Sequence, residues 1–542
     1  MKVDKLHIRS RFKNLEDVIV DFDEDHLMTV VVGCNGSGKS NVLEALVSIF
    51  RNLDLGEAPP FSYVLTYQLG EKESDRWLQI TVDADPKRGT LSKQYEVKVC
   101  DLNAMSPKDL FEKDNDGESV PIAKVKRSKD GKAPYLPNYV FAYYSGPSDR
   151  LEGYFRKHRT DFYKKLLKSE LDLKGDIRPL FYAKPFHSQF VLLAFFLTVG
   201  DEGEKAFLKE QLGISDLDSI HFVMRKPSWA KKKDELFWGA QGVVRKFLDE
   251  LFPYAMAPVK VTRQEDTSLT GSNIRNEFFH LFLPDVESLR NFAKELTPDE
   301  LFKMLESTLL SEIISHVSIR VKVKGAKDPL TFRELSEGEQ QLLTVLGLLK
   351  FTGGKDSLFL LDEPDTHLNP AWAVKYLKFL REFVPNHDTS HLLMVTHHPL
   401  AIAELKKEQV QLMWKDDDIK VHAREPFVDP RGIGFMSTLT EIFGLNTTLD
   451  LETQKIVDER NELAHKSEKT TEEEDQLSIL NDQLNRLGFS FENREPLYNE
   501  FLLAWKDVRY ANKPPMTPEK AAKRREAMKK VINALAQKEE SE

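Results

Sequence analysis

The sequence predicts an α/β fold: a mixed sheet around a glycine-rich loop, an antiparallel β lobe, an inserted helical domain and a helical C-terminal region. Three observations predict it. An apolar strand runs into a glycine-rich loop and a helix near residue 33. A second apolar strand ends in a carboxylate pair at residues 362 and 363, and a largely helical stretch from about Leu151 to Ser315 lies between the two.

The chain has 542 residues, too many for one ordinary core, so two or three domains are expected. Hydrophobic residues make up 41% and charged residues 30%, within the globular range. The longest apolar run, residues 190–199, is about half of what a bilayer crossing requires and reads as a buried helix. The opening MKVDKLHIRSRF alternates like a strand and lacks a signal peptide's apolar core, so a cytoplasmic protein is expected. Only Cys34 and Cys100 are present, which excludes a disulfide framework and a cysteine-only zinc site. A net charge of −10 argues against the whole molecule being an electrostatic magnet for nucleic acid.

In chain order, residues 3–9 and 27–32 read as strands and Asn41 to Phe50 as the helix after the loop. FSYVLTYQL, WLQITVD and YEVKVCDL follow as strands of an antiparallel lobe. The expected divisions are 1–150, the first half of the head; 151–315, an inserted and mainly helical domain; 316–425, the second half; and 426–542, a helical partner-binding region with a basic tail. The insertion lacks sustained heptads, so it is no long coiled-coil arm.

The loop GCNGSGKS, Gly33 to Ser40, matches the phosphate-binding pattern G-x-x-x-x-G-K-[ST] at every fixed position. Backbone N–H groups of Asn35, Gly36, Ser37, Gly38 and Asn41 and the helix N-terminus would cradle ATP phosphates. Lys39 would neutralise the β- and γ-phosphates and the Ser40 hydroxyl would ligate Mg2+. Downstream, SLFLLDEPDTHLNP, Ser357 to Pro370, is a Walker B strand. Asp362 would hold Mg2+, and Glu363 would orient or deprotonate the attacking water.

Between these lies ELSEGEQQLLTVLGLL, in which Ser336 precedes an apolar-periodic helix as an N-cap whose free N–H groups form an anion site. This segment resembles the ABC signature motif, with Glu337 where the first glycine of that motif usually stands. The resemblance implies an ABC-type ATPase with a head like those of the SMC, Rad50 and RecF proteins. It further implies that Ser336, Gly338 and Glu339 cap the γ-phosphate bound by a second copy, so that the working unit is at least a dimer. In HLLMVTHHPLAI the same resemblance makes His397 the switch histidine that contacts the γ-phosphate. No glutamine is assigned to the Q-loop; Gln68 and Gln79 are candidates. YVFAYYSGPSDRLEGYF, Tyr139 to Phe155, ends a strand in a Ser-Gly-Pro turn and is expected to approach the nucleotide or the partner head.

No nuclease pattern is found, and the acidic group Asp416 to Asp418 reads as a hairpin turn. ELSEGEQQ, LLDEPDTHLNP, YYSGPSDR and the stretch Gly434 to Lys466 resemble the PtuA-type ATPases of Septu and retron-associated anti-phage systems. That resemblance implies ATP and Mg2+ as cofactors and a nuclease supplied in trans, an HNH protein of the PtuB kind. Where a retron belongs to the system, its reverse transcriptase and msDNA would also be partners. The alternative reading is a RecF- or SMC-like DNA-repair ATPase. A third is an OLD-type ATPase-nuclease, against which the lack of an acid cluster after His398 counts. Four basic segments could line a nucleic-acid surface: KVKRSKDGK from Lys124, RKHR from Arg156, RKPSWAKKK from Arg225 and the tail from Glu519 to Lys530.

Overall fold

A computed structural model describes residues 1–72, 74–104, 117–168, 178–198, 203–230, 236–266, 273–445, 447, 449–466 and 469–487, together with residues 523, 526, 527 and 530. The chain divides into two compact units, one comprising residues 1–31 and 38–401, the other residues 32–37 and 402–542. The second unit thus begins ahead of the boundary expected after residue 425.

Among its described residues the first unit holds strands of three sheets. In its parallel sheet, Met28 to Val31 pair with strand Ser390–Val395, which pairs with Ser357–Asp362, then Tyr139–Tyr144, then Leu180–Tyr182. The central strands are buried along their whole length, as a sheet covered on both faces requires. Register aligns the C-terminal ends, with Asp362 level with Val395 on one side and Tyr144 on the other. Functional groups of such sheets gather at that edge.

The antiparallel lobe contains the three predicted strands, as Tyr63–Gly70, Trp77–Ala84 and Tyr95–Asp101, beside Lys2–Ile8 and Val18–Asp21. Tyr63–Gly70 alternates buried and half-buried residues, the period-two pattern of a strand with one face on a core.

The insertion is helical in large part, with Glu152–Leu167, His187–Leu197, Glu204–Gln211, Gly242–Leu251 and Pro298–Leu310. The apolar run forms the buried helix expected, Phe190 to Phe196 being almost wholly enclosed. The "mainly helical" expectation missed three long strands, Ile214–Arg225, Met256–Asp266 and Asn273–Leu283. These build an antiparallel sheet with the predicted strand Ile314–Val323. Partners in this sheet lie far apart in sequence, as where Ile220 faces both Leu283 and Ile319, so periodicity within one segment does not reveal them.

A buried ionic cluster ties the insertion together. Glu306 accepts hydrogen bonds from Arg178 at 2.8 Å and His187 at 2.7 Å, and the Arg178 guanidinium lies 4.7 Å from the Phe181 ring centre. Burial by itself would raise the Glu306 carboxyl, but His187 and Arg178 together overcome it and hold the carboxyl at about 2. Stability from this depressed group is present above the ordinary carboxylate range and is lost as pH falls through the folded value. Glu306→Ala is expected to cost about 3–5 kcal/mol, because it leaves a buried guanidinium unpaired. Urea denaturation at neutral pH measures the loss, and the difference from wild type should shrink as pH falls from about 4.5 toward 2.

Among the described residues, no helix is long and apolar enough to cross a membrane. In the second unit, strands Val410–Lys415 and Val421–Arg424 pair antiparallel, and Asp416 to Asp418 form the turn between them as expected. Helices Leu451–Ala464 and Thr471–Arg486 pack together in the same unit.

Candidate functional site

The phosphate loop takes its shape from glycines in backbone conformations that residues with a Cβ rarely adopt. Gly36 has φ 78° and Gly38 has φ 94°. A Cβ on Gly38 would lie 2.6 Å from Leu15 and 3.1 Å from the Asn14 side chain. Asn14 also accepts a 2.6 Å hydrogen bond from Asn41, fixing the first turn of helix Lys39–Leu55 against the lobe. The N-cap of that helix is Gly38, which supplies no side-chain cap.

Two far-apart motifs meet in the first unit. The Ser40 hydroxyl donates a 2.8 Å hydrogen bond to Asp362 Oδ1, joining the first turn of helix Lys39–Leu55 to the end of strand Ser357–Asp362. Asp362 is fully buried. Burial pushes its carboxyl above the usual range, against the opposing pull of Arg150 and Ser40. The neighbouring Glu363 has left-handed backbone, φ 52°, with its N–H on the Val395 carbonyl at 2.8 Å. That turn carries the Glu363 side chain out of the sheet, where its Oε1 lies 3.6 Å from His397 Nδ1. Thr396, just before His397, donates to both oxygens of buried Asp365, at 2.9 and 2.7 Å, tying the two strand ends together. Burial raises the Asp365 carboxyl as well.

Lys39 is nearly enclosed, and Ser40 and Asp362 form an oxygen pair suited to a hard divalent cation. These groups fit Mg2+ and a nucleoside triphosphate.

Ser336 caps helix Glu337–Thr352 as expected, and the helix ends at Gly353 before the Walker B strand. The cap is reciprocal: Ser336 Oγ accepts from the Glu339 N–H at 3.3 Å, and the Glu339 carboxylate accepts from the Ser336 N–H at 2.7 Å. Two of the N–H groups expected to be free are therefore engaged within the motif. Ser336 is exposed, whereas Gly338 is buried where a Cβ would lie 2.5 Å from the His367 carbonyl oxygen.

Gln341 and Arg150 were not singled out from the sequence. The buried Gln341 side chain donates to the Glu363 carbonyl at 3.3 Å and accepts from the His367 N–H at 3.2 Å, so helix Glu337–Thr352 grips the loop after Asp362. Arg150 reaches Asp362 Oδ2. It belongs to the segment expected near the nucleotide, where the Ser145 N–H also meets the Asp362 carbonyl at 3.3 Å. Of the Q-loop candidates, Gln68 and Gln79 face each other across two strands of the antiparallel lobe, and Gln68 accepts from the Trp77 indole.

Several groups of the basic segments are engaged within the fold. In RKHR, Lys157 pairs with Glu57, His158 with Asp54 and Arg159 with Glu152, and Arg127 of KVKRSKDGK pairs with Asp54. The Trp229 indole donates to the Ser311 carbonyl at 2.7 Å. Residues 231–233 and most of the C-terminal tail lie outside the described residues.

Models of two families each match part of this chain. Residues 1–137 match the family described as an AAA ATPase domain. Residues 201–403 match the one described as "AAA domain, putative AbiEii toxin, Type IV TA system". Two curated relatives carry the name Septu protein PtuA, which bears out the resemblance to PtuA-type ATPases. The one from Bacillus mycoides is 23% identical over 33% of this chain and 27% of its own length. The one from Bacillus thuringiensis is 23% identical over 36% of this chain and 57% of its own length. The chain thus spans less than two thirds of either relative. Among solved structures, the SMC head domain from Thermotoga maritima overlaps 78% of this chain and 99% of its own, at 12% identity and a TM-score of 0.31. Stu0660 of Streptococcus thermophilus overlaps 92% and 99%, at 12% and 0.27.

Proposed function

We propose that this chain binds and hydrolyses ATP as an ABC-type head and, by ATP-driven pairing with a second copy, controls a nuclease supplied in trans in a cytoplasmic anti-phage system of the Septu kind. The 2.8 Å hydrogen bond from Ser40 to Asp362 carries the first half of this reading, because it joins two motifs separated by most of the chain into one magnesium site. The PtuA names of the relatives support the second half, with an HNH nuclease of the PtuB kind as partner.

Each side chain has a task in hydrolysis. Lys39 neutralises the β- and γ-phosphates, and Ser40 and Asp362 hold Mg2+, which when bound supplies further charge neutralisation on those oxygens. Glu363 accepts a hydrogen bond from the attacking water and takes its proton as the oxygen reaches the γ-phosphorus. The bond to the β-phosphate oxygen breaks, leaving ADP and phosphate. His397, 3.6 Å from Glu363, donates to a γ-phosphate oxygen in this reading. The exposed Ser336, with Gly338 and Glu339 behind it, would act on the partner's nucleotide, which requires the Glu339 carboxylate to leave its cap.

A mixture tests action in trans. Ser336→Arg should retain nucleotide binding and lose hydrolysis, and Lys39→Ala should lose both. In a heterodimer of the two, one composite site carries both defects and the other is intact. Phosphate release should therefore reappear on mixing. Mixtures that stay inactive, although both variants fold and pair, would count against shared sites.

A further inference from the structure

The Asp362 carboxylate is shared. Its Oδ1 accepts from Ser40 at 2.8 Å, and its Oδ2 accepts from the Arg150 guanidinium. Arg150 is seated by a second contact, its guanidinium carbon lying 4.4 Å from the centre of the Tyr144 ring. The position of Tyr144 follows from strand register, since it is level with Asp362 in the neighbouring strand. The two partners differ in exposure. The Asp362 side chain is wholly enclosed, whereas the Arg150 side chain is 31% exposed, so the guanidinium can withdraw toward solvent and the carboxylate cannot. Arg150 stands immediately before helix Glu152–Leu167, after the Ser-Gly-Pro turn, which allows the arm to shift without breaking the sheet.

A guanidinium and a divalent cation are electrostatic alternatives on one buried carboxylate. Each compensates the cost of burying the charge, and at neighbouring positions they repel each other. We propose that Arg150 is a positioning residue that latches the Walker B carboxylate: it neutralises Asp362 until Mg2+ displaces it, and so sets the Mg2+ concentration at which the site accepts nucleotide. The latch rests on the nucleotide-site reading above. It adds that loading of the site is coupled to movement of the Tyr139–Tyr144 strand end and of the helix after it. It also gives the YYSGPSDR turn a task that neither Gln68 nor Gln79, both in the lobe, is placed to perform.

The test is the Mg2+ concentration for half-maximal binding of a fluorescent, non-hydrolysable ATP analogue, measured on the full chain and on Arg150→Gln and Arg150→Lys. Arg150→Gln removes the competitor and should lower that concentration about tenfold, the scale of a one-unit change in carboxylate affinity. Arg150→Lys keeps a cation on Asp362 and should stay near wild type. In EDTA, Arg150→Gln should melt below wild type, because the buried carboxylate is left uncompensated, and Mg2+ with the analogue should close the gap. An unchanged Mg2+ requirement in Arg150→Gln would show the contact to be idle and overturn the latch. A raised requirement would also overturn it, making Arg150 a direct phosphate ligand. Wild-type protein that binds the analogue at no Mg2+ concentration would overturn the nucleotide-site reading itself, an outcome distinct from either. Should Arg150→Gln fail to fold, a Mg2+ requirement for Arg150→Lys far from wild type would still contradict a role that depends on the cation.

Discussion

Glu363→Gln is expected to lower ATP hydrolysis by orders of magnitude while leaving ATP binding intact. Glutamine keeps the shape of the side chain and one hydrogen-bonding oxygen, but removes the carboxylate that polarises water and takes its proton. The backbone arrangement should survive, because the left-handed turn at Glu363 is held through its own main-chain N–H and carbonyl, by the Val395 carbonyl and the Gln341 side-chain amide, rather than by the carboxylate. Bound ATP would accumulate, and the paired state favoured by its greater affinity for nucleotide would become the dominant population. If pairing controls an associated nuclease, this variant locks that nuclease in one condition. Cell growth and nucleic-acid integrity with the neighbouring genes present are the readout. Toxicity from this chain expressed alone would instead favour a nuclease within it.

Lys39→Ala is expected to remove most ATP affinity and all hydrolysis, since the loop loses the ammonium dedicated to the β- and γ-phosphates. Lys39→Arg should also fail, because a planar fork does not replace a compact ammonium in a tight loop. In cells, Lys39→Ala should give the condition opposite to that of Glu363→Gln. Identical phenotypes would refute the switch, and near-normal turnover by Lys39→Ala would refute the nucleotide site.

The residues that meet at Asp362 show which parts of such a site a sequence exposes. Ser40, Asp362, Glu363 and His397 stand out in the sequence because each sits in a short pattern whose spacing is fixed by local backbone chemistry: a glycine loop, an apolar strand, a strand end. The buried helix at Phe190 to Phe196 is legible for the same reason. Arg150 is not, since its task depends on strand Tyr139–Tyr144 lying beside the Walker B strand, a pairing no local pattern encodes. Gln341 looks like one more polar residue on a helix until its buried amide is seen to bridge Glu363 and His367. The long strands of the insertion were obscured likewise. Met256–Asp266 is exposed along much of its length, so the alternation of burial that marks a strand is weak there.

The most direct test of the account is the molar mass of purified Glu363→Gln in solution, by light scattering, with and without Mg·ATP. The account predicts a shift to at least the mass of a dimer when nucleotide is present, and no shift when Lys39→Ala is added to the same chain. An unchanged mass in Glu363→Gln with ATP demonstrably bound would contradict ATP-driven pairing of heads.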